Sequence, residues 1–179
     1  MPAADFDWAA TGGVFMSGSG QQQAQGKPRP RTGARVAAVQ ALFQAEQGPT
    51  SAETVIDEFV RFRFGATEGS EGFEDGRVHD VDVRLFSAIV RAAVREQDKL
   101  DGMIAEMLTT DWKIDRLDPV LRALVRAGAA ELTMKDGAPA KVVINEYLDV
   151  AHGFFEGDEP RMANGLLDRM AHQLRPAEF

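Results

Sequence analysis

Apolar residues recur along most of the chain with the spacing of one helix face. Leu100, Met103, Ile104, Met107 and Leu108 follow the i, i+3, i+4, i+7, i+8 pattern of an amphipathic helix without a miss. Stripes of the same period occur in six other segments, and no useful length of chain alternates with the two-residue period of a strand. The sequence therefore predicts an all-α fold, a bundle of about seven helices.

Capping residues, prolines and glycines divide these stripes into separate helices. The first helix is predicted from about 34 to 47. The predicted start signals of later helices are Thr50 with Glu53, Asp80 or Asp82, Asp118-Pro119, Pro139, and Asp158 with Pro160. The predicted ends are Gly48-Pro49, Gly65, Gln97, Asp136-Gly137, Gly157 and Pro176.

Two segments fall outside this pattern. Residues 1–33 mix Gly, Ser, Gln and Pro and lack the apolar surface needed to offset the entropy of ordering, which predicts a disordered arm. Residues 65–79 are rich in Gly and acidic side chains and are predicted to form a flexible loop. We expect one helical domain over residues 34–176 and a short tail at 177–179.

Composition limits the classes of protein that remain. The chain has 179 residues, 44% of them hydrophobic, which is enough for one domain with a real core. It has no cysteine, no apolar run long enough to span a membrane, and no basic secretory signal, so we expect a cytoplasmic protein.

Charge is unevenly distributed along the chain. The net charge is −8, yet residues 27–35 contain four cations, Lys27, Arg29, Arg31 and Arg35, and no acid. The sequence thus predicts an acidic body with a basic arm. Such an arm is either a solubilising tail or a contact for nucleic acid, and charge alone does not separate the two.

Catalytic chemistry has little support in the sequence. The three histidines lie far apart and in no metal-ligand spacing, and nucleophile elbows, phosphate-binding loops and dinucleotide-binding glycine motifs are absent. We therefore expect a protein that is not an enzyme and needs no cofactor or metal.

Several segments of the chain resemble the NusB family of bacterial transcription antitermination factors. They are AVQALFQAEQ (38–47), LDGMIAEML (100–108), the RALVRAGAAEL run ending at Leu132, KVVINEYLDVAHGFF (141–155) and RMANGLLDRM (161–170). Their order and spacing match the family over roughly residues 34–176. The resemblance implies a compact helical bundle that binds the single-stranded boxA element of nascent ribosomal RNA. It also implies a heterodimer with a small ribosomal subunit protein, NusE, and read-through by RNA polymerase.

RNA-binding residues are expected in two segments. Single-stranded RNA is held by cations along its backbone and by planar side chains on which its bases stack. Arg29, Arg31 and Arg35 lead into the first helix, and Phe43 follows on it. Phe43 is either a core residue of the first stripe or, as its family position implies, an RNA contact.

The second expected RNA segment is the connection Phe154–Met162. The resemblance implies RNA contacts at Phe154, Asp158 and Arg161, whereas Met162 stands where many members have Phe. Phe154 could instead be a core plug and Asp158 a plain N-cap. Lys141 is a further candidate for the RNA backbone, or a solvated lysine.

Other polar positions suggest architecture or partner binding. Asn145 and Asn164 interrupt apolar faces, and we expect each to be at least half-buried and hydrogen-bonded to backbone, with Gly165 allowing close helix approach. The partner surface is expected on the fourth and fifth helices, with Glu106, Arg116, Asp118 and Arg122 as candidates.

Two alternatives to an antitermination factor stay open at this point. One is the NusB-like RNA-binding domain of a ribosomal RNA methyltransferase, which would require a further cofactor-binding domain. The other is a helical protein-interaction module in which Phe43 and Phe154 are core and the arm is inert.

Overall fold

A computed structural model describes residues 29–64, 81–109 and 112–179. Within these ranges the chain forms seven α-helices and no strand, which confirms the predicted all-α fold. The helices are α1 (Pro30–Glu46), α2 (Ala52–Glu58), α3 (Val83–Arg95), α4 (Gln97–Met107), α5 (Pro119–Leu132), α6 (Ala140–Phe154) and α7 (Glu159–Leu174). Short 3₁₀ turns lie between α4 and α5, at Ile114–Arg116, and after α7, at Pro176–Glu178. Most of the predicted arm and all of the predicted acidic loop lie outside the described residues.

Local capping chemistry sets several helix starts. Asp82 accepts a hydrogen bond from Leu85 N at 2.9 Å, and Asp118 accepts from Val120 N at 2.8 Å, so both predicted caps are confirmed. The predicted Thr50 cap of α2 is wrong by one residue, because Ser51 Oγ accepts from Thr54 N at 3.2 Å.

Some predicted helix limits also differ from the structure. Pro30 opens α1 four residues before the expected start, since proline is well suited to a first helical turn. The predicted ends of α5 and α6 were too late. These helices end at Leu132 and Phe154, where the backbone leaves helical geometry.

Helix α2 ends in a π-helical turn, Phe59–Arg63, which packs its aromatic rings against α3. Phe59 stacks on Phe86 with ring centroids 5.6 Å apart, and Phe64 meets Phe86 edge-on at 4.8 Å. Phe62 is 71% exposed, because the wider π turn directs its side chain away from the apolar face.

Helix α5 is the centre of the bundle and contacts α1, α3, α4, α6 and α7. Its residues are buried without a break from Ala123 to Leu132. Small side chains make this possible. At Gly128 the helix lies so close to α7 that a Cβ there would be 2.8 Å from Leu167 Cδ2. The core is therefore built around a narrow central helix.

A buried ion pair joins α1 to this central helix. Arg35 donates from Nε and Nη2 to the two carboxylate oxygens of Glu131, at 2.9 and 2.6 Å, and from Nη1 to Glu146 at 3.0 Å. Burial lowers the pKa of Arg35, but the hydrogen bond and the charge of Glu131 outweigh it, so the pKa lies above its usual value. The guanidinium is thus charged and fully engaged inside the bundle.

A second ion network closes the opposite end of α5. Arg126 donates to both oxygens of Asp101 at 2.7 Å and to Glu46 at 3.1 Å. Arg122 binds the same Glu46 and donates to the carbonyls of Ile114 and Leu117, each at 3.1 Å. Helices α1 and α4 are thereby fixed to α5, with α1 and α5 antiparallel.

Arg175, just after α7, holds the turn between α5 and α6. Its guanidinium donates to four backbone carbonyls, those of Leu132, Ala138, Glu131 and Met134. Glu178 accepts from Ala140 N at 2.6 Å, and this hydrogen bond lowers the pKa of Glu178. These contacts supply the partners that the end of one helix and the start of the next require.

Among the described residues, no helix is both long enough and apolar enough to cross a membrane.

Candidate nucleic-acid interface

The start of α1 presents two arginines to solvent. Arg29 is exposed and makes no ion pair with a described residue. Arg31 is also exposed and its Nε lies 4.0 Å from Asp82 Oδ2, at the limit of an ion pair. A surface pair of this kind contributes little and leaves Arg31 able to bind a phosphate.

Arg31 borders a groove between the starts of α1 and α3 and the turn that joins α5 to α6. We call it the α5–α6 groove. Its lining is Arg31, Arg35, Leu85, Glu131, Met134, Lys135, Asp136, Gly137, Ala138 and Pro139. Because Arg35 and Glu131 neutralise each other, the exposed charges among the described lining residues are Arg31, Lys135 and Asp136, with a positive balance.

The prediction that Arg35 contacts RNA from the surface is contradicted by its position. Its exposed fraction is 2%, and Glu131 and Glu146 accept from all three of its donating nitrogens. Removing this guanidinium from its carboxylates would leave buried charges without partners, so it is not free to bind phosphate. Arg35 holds α1 in place.

Lys141 lies exposed in the first turn of α6, beside the end of the chain. Its Nζ is 5.9 Å from the centroid of the Phe179 ring, and that ring stacks on His172 at 3.9 Å. A cation over an exposed ring is held weakly. Lys141 therefore remains a candidate for a phosphate contact.

Phe43 and Phe154 are both half-buried against the core. Phe154 also contacts Phe155, with ring centroids 6.4 Å apart. Each side chain is thus partly in the core and partly exposed, so the core and surface interpretations of these residues both describe part of the structure.

Asp158 and Arg161 lie at the start of α7 and are exposed. Asp158 occupies the N-cap position, but its carboxylate makes no capping hydrogen bond, so the plain N-cap interpretation does not hold. Arg161 makes no ion pair with a described residue. Met162 is half-buried and packs against the core.

These α7 residues border a second groove, which we call the Trp112 groove. It separates the end of α4 from the first half of α7. Its lining is Met107, Leu108, Thr109, Trp112, Asp158, Arg161, Met162, Gly165, Leu166 and Arg169.

The predicted RNA residues follow two neighbouring helices. Arg31 and Pro139 line the same groove, so α1 and α6 begin side by side, and Thr32 and Arg35 on α1 bind Glu146 on α6. At 1.5 Å per residue, Phe43 lies about 18 Å along α1 from Arg31, and Phe154 about 20 Å along α6 from Lys141. The candidates therefore form an extended path with cations at one end, not a compact pocket.

The proposed architectural roles of three residues are not supported. Asn145 is exposed, Asn164 is half-buried, and neither side chain hydrogen-bonds to any described residue. A Cβ on Gly165 would meet nothing within 4 Å, so this glycine does not permit close helix approach. That role belongs to Gly128, which the apolar pattern alone did not distinguish from its neighbours.

The four candidate partner residues differ in availability. Glu106 and Arg116 are exposed, and Asp118 is exposed although it caps α5. The side chain of Arg122 is only 11% exposed and is bound to Glu46 and two carbonyls, which contradicts its selection as a partner contact.

Together these features define a compact all-α bundle whose helix ends carry exposed arginines beside two grooves. The sequence profile of the NusB family matches residues 32–172, and the chain belongs to this family.

Curated relatives are similar over almost their whole length. "Transcription antitermination protein NusB" of Granulibacter bethesdensis is 64% identical over 153 residues, covering 86% of this chain and 94% of the relative. The protein of the same name from Gluconobacter oxydans is 51% identical over 145 residues, covering 81% and 88%.

Solved structures share the fold at lower identity. T. maritima NusB has a TM-score of 0.66 at 23% identity and covers 86% of this chain and 99% of its own. A crystal structure of the antitermination factors NusB and NusE in complex with double-stranded RNA has a TM-score of 0.59 at 20% identity, covering 79% and 96%. At these identities the likeness is one of fold.

Proposed function

We propose that this chain is a transcription antitermination factor that binds boxA-type RNA in nascent ribosomal RNA transcripts. The observation that carries the proposal is its 64% identity, over 94% of the relative's length, to a protein named for transcription antitermination. The chain binds and positions other molecules and catalyses no reaction. It needs no cofactor and acts in the cytoplasm, where transcripts are made.

The RNA follows the path along α1 and α6. Its backbone meets Arg29, Arg31 and Lys141 at the end where both helices begin. From there it runs past Phe43 and Phe154 toward Asp158 and Arg161. An extended path of this length suits a single strand, whose bases can turn away from one another and stack on aromatic rings.

The protein partner is a small ribosomal subunit protein, NusE, bound as a heterodimer. A NusB of the same fold has been crystallised with NusE and RNA. The net charge of −8 complements a basic ribosomal protein, which would in turn add cationic surface for the RNA. Glu106, Arg116 and Asp118 remain the proposed contacts, and the pair joins the antitermination complex of RNA polymerase.

The test is binding of a labelled boxA-like RNA to the full chain, alone and with the ribosomal partner. We expect saturable binding that the partner tightens, and weaker binding by the double variant Arg29→Ala and Arg31→Ala. Arg91→Ala with Arg95→Ala is the matched control, because it removes the same charge from exposed positions on α3.

Two results would count against the proposal. Failure of the wild-type chain to bind RNA with or without the partner would exclude the RNA role. RNA binding with an affinity that a tightly bound partner leaves unchanged would instead contradict joint binding of the RNA by the heterodimer.

A further inference from the structure

We propose that the Trp112 groove holds one base of the bound single-stranded RNA, with its ring against the indole of Trp112. This inference rests on the proposed function and extends it to a residue outside the path along α1 and α6. Trp112 belongs to the connection between α4 and α5, and it faces the first half of α7 across the groove.

Trp112 presents a large flat surface to solvent. Its exposed fraction is 47%, although tryptophan is normally highly buried. Met107, Met162 and Leu166 add apolar surface to the same groove. An exposed indole beside an apolar lining offers a base both a stacking surface and apolar contact.

The charge of the groove favours a nucleic-acid ligand. Among the described residues, Arg161 and Arg169 line it against one carboxylate, that of Asp158, which gives this part of the lining a positive balance on an acidic chain. Arg161 is exposed and pairs with no described carboxylate, so its guanidinium is available to a phosphate. Charge complementarity therefore favours an anionic ligand such as an RNA strand over a neutral or basic peptide.

Arg169 makes the groove a fixed feature. Its Nη1 donates to the carbonyl of Met107 at 3.0 Å and its Nε donates to the carbonyl of Gly165 at 3.1 Å. The first bond joins the last residue of α4 to the middle of α7. The two walls are thus tied at a set separation, and a ligand finds the groove already formed.

Gly165 explains why the groove is open. A glycine inside a helix costs roughly 1 kcal/mol relative to alanine, and here no neighbour requires it, because a Cβ would meet nothing within 4 Å. The empty space above Gly165 is part of the groove. Its missing side chain leaves room for a ligand instead of for another helix.

The groove is continuous with the proposed RNA path. Asp158 and Arg161 belong to both, so a strand that passes them reaches Trp112 without leaving the surface. Every base has a flat face that stacks on an aromatic ring, and one stacked base contributes ~1–3 kcal/mol. The position therefore suits one nucleotide with its base on Trp112 and its phosphate at Arg161.

Fluorescence reports directly on this contact. The two tryptophans of the chain are Trp8 and Trp112, so the Trp8→Phe variant leaves Trp112 as the single emitter. Titration of this full-length variant with boxA-like RNA, with the ribosomal partner present throughout, should quench the emission. The midpoint should equal that of binding measured by anisotropy of labelled RNA.

Substitutions test the same contact by affinity. Trp112→Ala should weaken RNA binding about 5- to 150-fold, the equivalent of ~1–3 kcal/mol for one stacked base. Gly165→Leu should fill the groove and weaken binding by about tenfold or more, whereas Gly165→Ala adds one methyl and should stay within about threefold of wild type. Phe62→Ala is the control, since it removes a more exposed aromatic from the end of α2 and should leave affinity unchanged.

The outcomes separate this proposal from the proposed function. If RNA binds but neither Trp112 emission nor the affinity of Trp112→Ala and Gly165→Leu changes, the groove is not a base site, and the RNA role stands. Quenching by the ribosomal partner without RNA, with no further change when RNA binds, would assign the groove to that protein and overturn the RNA proposal. If the wild-type chain binds no RNA, both proposals fail together.

Discussion

Gly128 on α5 and Leu167 on α7 approach each other so closely that no side chain fits between them. A Cβ on Gly128 would lie 2.8 and 3.0 Å from the two methyl groups of Leu167, and 3.3 Å from Tyr147 Cδ2. Leu167 and Tyr147 are fully buried, so neither the Leu167 methyl groups nor the Tyr147 ring has free space to move into.

Gly128→Ala is therefore expected to lower the free energy of unfolding by about 1–3 kcal/mol, the usual cost of overpacking a filled core. Urea unfolding followed by circular dichroism measures this change. A variant as stable as wild type would show that Leu167 can repack, contrary to the geometry.

Gly165→Ala should instead raise the free energy of unfolding. The helix interior gains about 0.5–1 kcal/mol when glycine becomes alanine, and the added methyl meets no neighbour. Thermal unfolding of the two single variants and their combination gives the comparison. The effects should add, and a destabilised Gly165→Ala would mean that this position is packed after all.

Breaking the buried pair of Arg35 and Glu131 should be more costly than removing any surface arginine. Arg35→Ala leaves the Glu131 carboxylate buried at 1% exposure, and such a loss costs about 3–5 kcal/mol. Arg95→Ala, at an exposed position, should change stability by less than about 0.5 kcal/mol. Replacing both partners, as Arg35→Met with Glu131→Leu, should recover much of the loss in a urea titration.

Tyr147 should make stability fall at alkaline pH. Burial raises the pKa of its hydroxyl well above the usual value near 10, and the negative charge of Glu131 adds to the effect. Above that usual value the unfolded chain loses the phenolic proton while the folded chain keeps it, so stability is intact below about pH 10 and declines as pH rises beyond it.

The single tyrosine of the chain makes this measurable. Tyrosinate absorbance should appear only together with loss of helical circular dichroism, and Tyr147→Phe should be less sensitive to alkaline pH. Free titration of the tyrosine near pH 10 in the folded protein would contradict the buried environment.

Salt should weaken RNA binding to a degree set by the surface cations alone. With Arg29, Arg31, Lys141 and Arg161 on phosphates and Arg35 excluded, a slope of about −0.7 per contact gives a total near −2.8, or roughly 50-fold weaker binding between 50 and 200 mM salt. Removing Arg29 and Arg31 should reduce the slope by about 1.4. A slope that stays unchanged in this double variant would place the phosphates elsewhere.

Local signals in the sequence predicted the fold well. Asp82 and the Asp118-Pro119 pair act within one helical turn of themselves, so their caps could be identified without knowledge of the tertiary structure. The predicted cap of α2 was wrong by one residue because Thr50 and Ser51 both carry a hydroxyl group that can cap a helix. The backbone conformation determines which of the two does so, and here it is Ser51.

The residues that were misassigned from the sequence are those whose surroundings depend on tertiary packing. Arg35 belongs to a run of cations, and the carboxylates that bind it inside the bundle, those of Glu131 and Glu146, lie 96 and 111 residues away. Gly128 and Gly165 are both glycines inside helices, and their opposite surroundings depend on which helix passes nearby. Trp112 stands in a connection with no periodic pattern, so its exposure and its groove were not visible in the sequence.

The pairing of Arg35 with Glu131 also bears on how the chain folds during synthesis. At about 5–20 residues per second, the ribosome needs roughly 5–20 s to add the 96 residues that separate the two side chains. Through that interval the guanidinium of Arg35 has no buried carboxylate to receive it and must stay hydrated. The apolar face of α1 therefore cannot reach its final place early. Helix α1 takes its final place only after α5 has been made, and until then the nascent chain keeps that face open to solvent or to a chaperone.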